Sequence, residues 1–295
     1  MIPSTTPLRY PGSKTWLVDY ISKFLEYNNL EPEILAEPYA GSGAVAISLL
    51  NEGKIDRAFL NEKDPLIVAF WKSTLYHTEE LIERIESTEI NLSTWNSFRK
   101  YLTPEAPKNY STIDLGFAFF FFNRTNFSGI VTGGPLGGQR QQSKYSISCR
   151  FKRDYLVEKV RKIGNLRGKV KIYQGDGIRF LRKIQKRISN REVVYYIDPP
   201  YFKSGRDLYR KWFTEDDHIR LSEFLKLFEP PWFLSYDDSE FIKSLYKKSK
   251  TQQIYADYQV WKYKRNVKEL LFSNYVLPPM IPSTGEVYGC ASSDI

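Results

Sequence analysis

Asp198-Pro199-Pro200-Tyr201 is the stretch of this chain whose residue types most directly suggest chemistry. It follows VVYYI (193–197), a continuous apolar run that reads as a strand buried on both faces. In open α/β sheets ligands bind beyond the carboxyl ends of strands, which is where this tetrapeptide falls. Two consecutive prolines remove backbone donors and stiffen the loop. The Asp198 carboxylate and the Pro199 carbonyl are then fixed acceptors, suited to holding both hydrogens of an amino group. The Tyr201 ring suits the flat face of a base that carries such a group. An acid before a Pro-Pro turn is also an ordinary way to end a strand, with no ligand involved.

Three further features stand at expected strand ends. Glu37-Pro38-Tyr39-Ala40-Gly41-Ser42-Gly43 joins a short strand to a helix, and Gly41 and Gly43 let the backbone bend and approach a ligand closely. The same text serves a plain strand-to-helix turn. Glu62 closes the next strand, RAFLNE (57–62), where an acid can accept hydrogen bonds from ribose hydroxyls. Asp176 closes KVKIYQGD (169–176), and both acids read equally well as solvated strand ends. The spacing is not GxGxxG, and Gly12-Ser13-Lys14-Thr15 lacks the upstream glycine of a Walker A motif.

The elements that must position these residues alternate. Strands are expected at 33–37, 57–62, 169–176, 192–198 and 231–237, and helices at 44–50, from Asp64, and at 177–188, 216–227 and 239–248. KTQQIYADYQVWKY and KELLFSNYVL read as an antiparallel pair closing the sheet, and the last fifteen or so residues as a loose tail. This is the pattern of a doubly wound α/β domain. Residues 72–165 break it with helical text (EELIERIE, TWNSFRKYL, FAFFFFNR) and a glycine-rich basic stretch, TGGPLGGQRQQSKY, that has too few apolar residues for a core. The expected organisation is a catalytic domain from 1–71 and 166–295, with 72–165 inserted as a mainly helical module.

Bulk composition narrows the partner classes. The chain has 295 residues and a formal net charge of +9, which favours a polyanionic partner. Aromatic residues make up 16% of it, enough both to fill a core and to stack on bases. Only two cysteines (Cys149, Cys290) and two histidines (His77, His218) occur, without metal-ligand spacing, so neither a disulfide framework nor a metal centre is expected. No apolar run reaches membrane-spanning length and the N-terminus does not read as a signal peptide, so a cytoplasmic location is expected.

Taken in order, RYPGSK (9–14), EPYAGSG (37–43), NEKDP (61–65), FNRTNFSG (122–129), GDG (175–177), DPPY (198–201) and KELLFSNY (268–275) resemble the adenine-N6 DNA methyltransferases of the Dam, or D12, type, over almost the whole chain. The resemblance implies a Rossmann-like fold, S-adenosylmethionine as methyl donor with S-adenosylhomocysteine as product, and no metal. Double-stranded DNA is the implied partner, with a cognate restriction endonuclease as a candidate companion. It implies a cofactor pocket from Tyr10, Gly12, Lys14, Glu37, Pro38, Gly41, Gly43, Glu62, Asp176 and Asp198. Asp198, Pro199, Pro200 and Tyr201 are the implied catalytic set, acting on an adenine flipped out of the duplex, with methyl passing directly to N6.

The implied role of residues 72–165 is to read DNA. Arg124 is expected at the DNA backbone and Phe127 and Ser128 near the flipped base, with Asn126 among the DNA contacts. Arg140 and Lys144, with Gln139, Gln141 and Gln142, are candidates for the major groove. Where relatives that recognise GATC continue with an arginine, this chain has Ile130-Val131-Thr132-Gly133-Gly134, so that target is not carried over. The competing readings are transfer to cytosine N4, a DNA-binding relative without catalysis, and methylation of RNA or of a protein amide.

Overall fold

Continuous apolar strands in this chain can be buried only between two helical layers, and the computed structural model has that arrangement. It describes residues 5–9, 14, 17–203, 205–260 and 263–279; Tyr10, Gly12 and the tail read as loose lie outside the described residues. Strands β1 (Ile34–Glu37), β2 (Arg57–Glu62), β3 (Val170–Gln174), β4 (Val193–Ile197) and β5 (Trp232–Asp237) are parallel. They are followed by a hairpin of β6 (Lys250–Val260) and β7 (Tyr263–Ser273). The sheet order is β3-β2-β1-β4-β5-β7-β6, with β7 antiparallel to β5.

The alternation of side chains along β4 divides the core in two. Val194 and Tyr196 pack into one cluster with helices α1 (Val18–Tyr27), α2 (Ala44–Asn51) and α3 (Pro65–Tyr76). Val193, Tyr195 and Ile197 pack into the other, with α9 (Gly177–Gln185), α11 (Glu215–Leu225) and α12 (Glu240–Leu245). The helix ends follow their sequence signals: the Asp64 carboxylate caps α3 by accepting from the Leu66 N–H at 3.0 Å, and Thr214 with Asp217 forms a capping box on α11.

Residues 72–165 are mainly helical but have no core of their own. They supply α4 (Thr78–Ser87), α5 (Leu92–Phe98), α6 (Ala106–Asn109), α7 (Thr112–Thr125) and α8 (Arg153–Gly164), and the expected boundary at 72 falls inside α3. Phe117 and Phe119 to Phe122 belong to the same cluster as α1, α2 and α3. The phenylalanine run read as FAFFFF is therefore the buried helix α7, packed along α3 with Phe70 and Phe120 stacked at 5.8 Å.

That crossing is close because α7 carries Gly116 against α3. A Cβ at position 116 would lie 2.3 Å from the Ser73 Oγ and 2.6 Å from the Ala69 carbonyl oxygen. Gly116→Ala is expected to destabilise the protein by about 1–3 kcal/mol through overpacking. A thermal melt showing no loss would mean that the two helices separate at no cost. Among the described residues, no helix is long and apolar enough to cross a membrane.

Candidate active site

Strand order reverses between β1 and β4, and at such a switch point the loops on either side part and leave a crevice at the carboxyl ends. Every parallel strand delivers an acid to that edge. Asp176 follows β3, Glu62 ends β2, Glu37 ends β1, Asp198 follows β4 and Asp237 ends β5. A cleft of about 1190 Å³, open to solvent, runs along this edge. Its walls include Lys14, Glu37, Gly41, Glu62, Asp176, Tyr196, Asp198 and Pro200.

On the β1 side the turn is built around its glycines. Gly41 N–H donates to Glu62 Oε2 at 3.0 Å, and Trp71 Nε1 donates to the Gly41 carbonyl at 3.0 Å. Gly43 adopts φ +57°, and a Cβ there would meet the Trp71 ring at 2.7 Å, so both conformation and space call for glycine. The Asn61 amide donates to the carbonyls of Pro38 and Gly175 at 2.9 and 3.0 Å and so ties the β1 and β3 turns together. Glu37 is buried and its Oε1 accepts from the Ala46 N–H at 2.8 Å.

Burial of carboxylates this close together shifts their titration. Desolvation, opposed by the Ala46 N–H and reinforced by the charge of Asp198, pushes Glu37 up to about 8. Desolvation likewise lifts Glu62 to about 7 against the donation from Gly41. Asp198 rises to about 6, with burial outweighing the opposing Lys14 charge and the Ser235 hydrogen bond. Its side chain nevertheless keeps 24% of its surface open to the cleft.

On the β4 side, Lys14 Nζ lies 3.3 Å from Glu269 Oε1 and 4.0 Å from Asp198 Oδ1, and 4.6 Å from the centre of the Tyr201 ring. Pro200 is on the cleft wall, Pro199 is buried, and Tyr201 stands half-buried beside Lys14, off the wall. The segment after the DPPY loop, which begins with the short helix α10 (Gly205–Leu208), roofs the cleft with Tyr209, Arg210, Trp212 and Phe213. It is held by an ion pair from Arg210 Nε to Asp64 Oδ2 at 3.3 Å and by Phe213 against the edge of Tyr39 at 5.4 Å. Among the described residues, no three His, Cys, Asp or Glu side chains group as a metal site.

The family model of the D12 class N6 adenine-specific DNA methyltransferases matches residues 10–267. This chain belongs to that class. The methyltransferase is 24% identical, over 91% of its length and 98% of the relative's, to the type II methyltransferase M.MjaIII of Methanocaldococcus jannaschii. It is 23% identical to the type II methyltransferase M.CviBI of Paramecium bursaria Chlorella virus NC1A, over 81% and 85% of the two chains. Among solved structures, the rRNA methyltransferase aviRa of Streptomyces viridochromogenes aligns over 90% of this chain and 86% of that one, with 13% identity and a TM-score of 0.38. That likeness is slight, and the fold rests on the strand order.

Of the site residues expected in this methyltransferase, Lys14, Glu37, Gly41, Glu62, Asp176, Asp198 and Pro200 are brought together on one cleft. Asp176 is already committed: its Oδ1 caps α9 by accepting from Arg179 N–H at 3.0 Å, and its Oδ2 pairs with Arg220 at 2.9 Å. The expected DNA contacts divide. Phe127 is 61% exposed at the apex of a turn, Ser128 beside it holds φ +54°, and Arg140 and Lys144 are exposed.

Arg124 and Asn126 point inward. Arg124, 9% exposed, donates from Nε at 2.9 Å and from Nη2 to the Arg150 carbonyl, and from Nη1 to that of Pro7 at 3.2 Å. Asn126 accepts from Trp95 Nε1 at 2.7 Å and donates to the carbonyls of Ile130, Val131 and Gly133. Gln141 is also turned in: it donates to the Leu136 and Gly138 carbonyls and accepts from Ile147 N–H at 2.9 Å, leaving Gln139 and Gln142 exposed. Asn123, within the same motif, accepts from Arg9 N–H at 2.8 Å and donates to the Arg9 carbonyl at 2.7 Å. The FNRTNFSG turn thus clamps the backbone at Arg9.

Arg124→Ala is accordingly expected to cost about 1–3 kcal/mol of stability, because the buried Pro7 carbonyl and the part-buried Arg150 carbonyl lose their donor. A contact to DNA phosphate alone would spare the melting temperature and reduce the salt slope of binding by about one. Melting and salt titration of the same variant separate the two, and an unchanged melt with a shallower slope would return Arg124 to the DNA.

Proposed function

We propose that this methyltransferase transfers the methyl group of S-adenosylmethionine to N6 of an adenine extruded from duplex DNA. The observation that carries the reading is the Asp198 carboxylate, which is part-exposed at the switch point, in the same cleft as Glu37, Gly41 and Glu62. Three carboxyl groups whose protons burial retains suit a cationic ligand, since a positive charge between them favours their ionised forms. Glu62, beside the Gly41 turn, suits a ribose diol. These features fit S-adenosylmethionine.

When bound, the cofactor supplies an electrophilic methyl group on a cationic sulfur. The chain's own residues then have to align and polarise the acceptor. Adenine N6 is a weak nucleophile because its lone pair is delocalised into the ring. Asp198 and the Pro199 carbonyl accept its two hydrogens, which favours a pyramidal nitrogen and frees the lone pair for in-line attack. This is catalysis by orientation and by preorganised acceptors. Tyr201 stacks on the extruded base, and Phe127 fills the gap it leaves in the duplex. Arg140, Lys144, Gln139 and Gln142 read the flanking sequence. Because the two named relatives are type II methyltransferases, we place the enzyme beside a restriction endonuclease of the same specificity.

The test is chemical. DNA from a methylation-free host expressing the chain, digested to nucleosides and resolved by mass spectrometry, is expected to contain N6-methyladenine. N4-methylcytosine in its place would move the activity to cytosine, and no modified base would leave a DNA-binding relative without catalysis.

A further inference from the structure

The loop from Asp198 to Lys203 has little means of holding itself. Its two prolines bring no N–H, so its shape must be imposed from outside. The neighbour on that side is β5, paired in parallel with β4 at Ile197 and Leu234. Ser235 and Asp237 follow at an interval of two, on one face of that strand. The Ser235 hydroxyl donates to Asp198 Oδ1 at 2.7 Å. The Asp237 carboxylate accepts the N–H of Phe202 at 3.0 Å through Oδ1 and that of Lys203 at 2.9 Å through Oδ2. Both side chains are buried.

We infer that Ser235 and Asp237 are the positioning residues of methyl transfer, with β5 holding the amino-gripping loop at its first and last residues. The inference rests on the role proposed for Asp198. Proton counting gives the Ser235 contact a direction. Tyr196 Oη lies 3.1 Å from Ser235 Oγ, and a hydroxyl has one proton to give. Ser235 gives its proton to Asp198, so it accepts from Tyr196, whose burial keeps the phenol protonated. The chain Tyr196 to Ser235 to Asp198 therefore occupies Oδ1 and turns Oδ2 toward the substrate amino group. Asp237, two residues on, sets where the chain resumes after Tyr201 and so fixes the plane of that ring.

Removing the Ser235 hydroxyl takes a donor from an ionised carboxylate and must raise its pKa. The other groups that act on Asp198 stay in place: Lys14 from the N-terminal segment, Glu37 on β1, Tyr196 on β4, Tyr236 on β5 and Glu269 on β7. S-adenosylmethionine is held saturating at every pH, so that Glu37 and Glu62 are already ionised by the bound cofactor. In Ser235→Ala the acid limb of kcat/KM for tritiated methyl transfer to unmethylated genomic DNA is then expected to move up by roughly one pH unit or more. Affinity for S-adenosylmethionine should stay within about twofold, and Ser235→Thr should restore the limb. Asp237→Asn and Asp237→Ala are expected to lower kcat by roughly 10–100-fold without moving the limb. Circular dichroism would identify a variant that has merely unfolded.

A readout that needs no activity is the titration of the Asp198 carboxyl carbon by NMR in wild type and Ser235→Ala. A shifted titration supports the clamp, and superimposable curves overturn it. If the wild type methylates no adenine while the Asp198 titration still moves, the functional reading fails and the clamp stands.

Discussion

Asp198→Ala is expected to reduce methyl transfer by on the order of 10³-fold while S-adenosylmethionine binds within about an order of magnitude of wild type. The two effects separate because Asp198 stands at the end of β4, whereas the features suited to the cofactor, Glu37, the Gly41 turn and Glu62, come from β1 and β2. Its acceptor oxygens would act on an amino group whose hydrogens are held more strongly as the nitrogen becomes pyramidal, so the loss should fall on kcat. Single-turnover transfer and calorimetric titration with the cofactor check the two halves. Near-normal turnover would remove Asp198 from the reaction, and lost cofactor binding would make it a cofactor ligand alone.

S-adenosylmethionine affinity is expected to rise with pH between about 6 and 7.5, by roughly tenfold per unit for each carboxyl that must ionise on binding. Glu37 at about 8 and Glu62 at about 7 hold protons in this window. A cationic ligand prefers their ionised forms, so binding releases protons and is favoured as pH rises. Calorimetry in buffers of different ionisation enthalpy would detect the release directly, and an affinity flat across the window with no proton released would refute the coupling. The same shifts have a consequence for folding. An ordinary glutamate titrates near 4.5, so between that value and the raised values the folded protein holds protons that the unfolded chain has lost. Stability of the ligand-free protein should therefore decline as pH rises from about 5 to 8, and saturating cofactor should offset the decline. Melting curves with and without cofactor across that range would show it.

The strand-end acids were legible because their positions follow from hydrophobic patterning. VVYYI, RAFLNE and PWFLSYD run apolar to an acid, and a parallel strand exposes its carboxyl end to the ligand crevice whatever the rest of the fold does. Asp237 falls under the same rule, but no adjacent motif sets it apart in the sequence. Arg124 and Asn126 were less legible. Their residue types suit DNA as well as they suit protein carbonyls, and only the tertiary packing of Arg124 against the Pro7 and Arg150 carbonyls and of Asn126 against Trp95 and its own turn chose between the two. The same holds for Gln141, which resembles its neighbours Gln139 and Gln142 in the sequence and is folded into its own loop.

Local pattern alone determined the alternation of strands and helices, the glycine turn after β1, the acid that ends each parallel strand and the order of motifs that marks the class, since periodicity and turn chemistry act over a few neighbouring residues. Tertiary structure alone decided that β7 and not β6 lies beside β5, that the helices of 72–165 share one core with the sheet, and that β5 reaches across to hold the DPPY loop. Those outcomes depend on which surfaces meet. A side chain's partner thirty or more residues away is selected by the burial and hydrogen bonding of the whole domain, which no short stretch of sequence encodes.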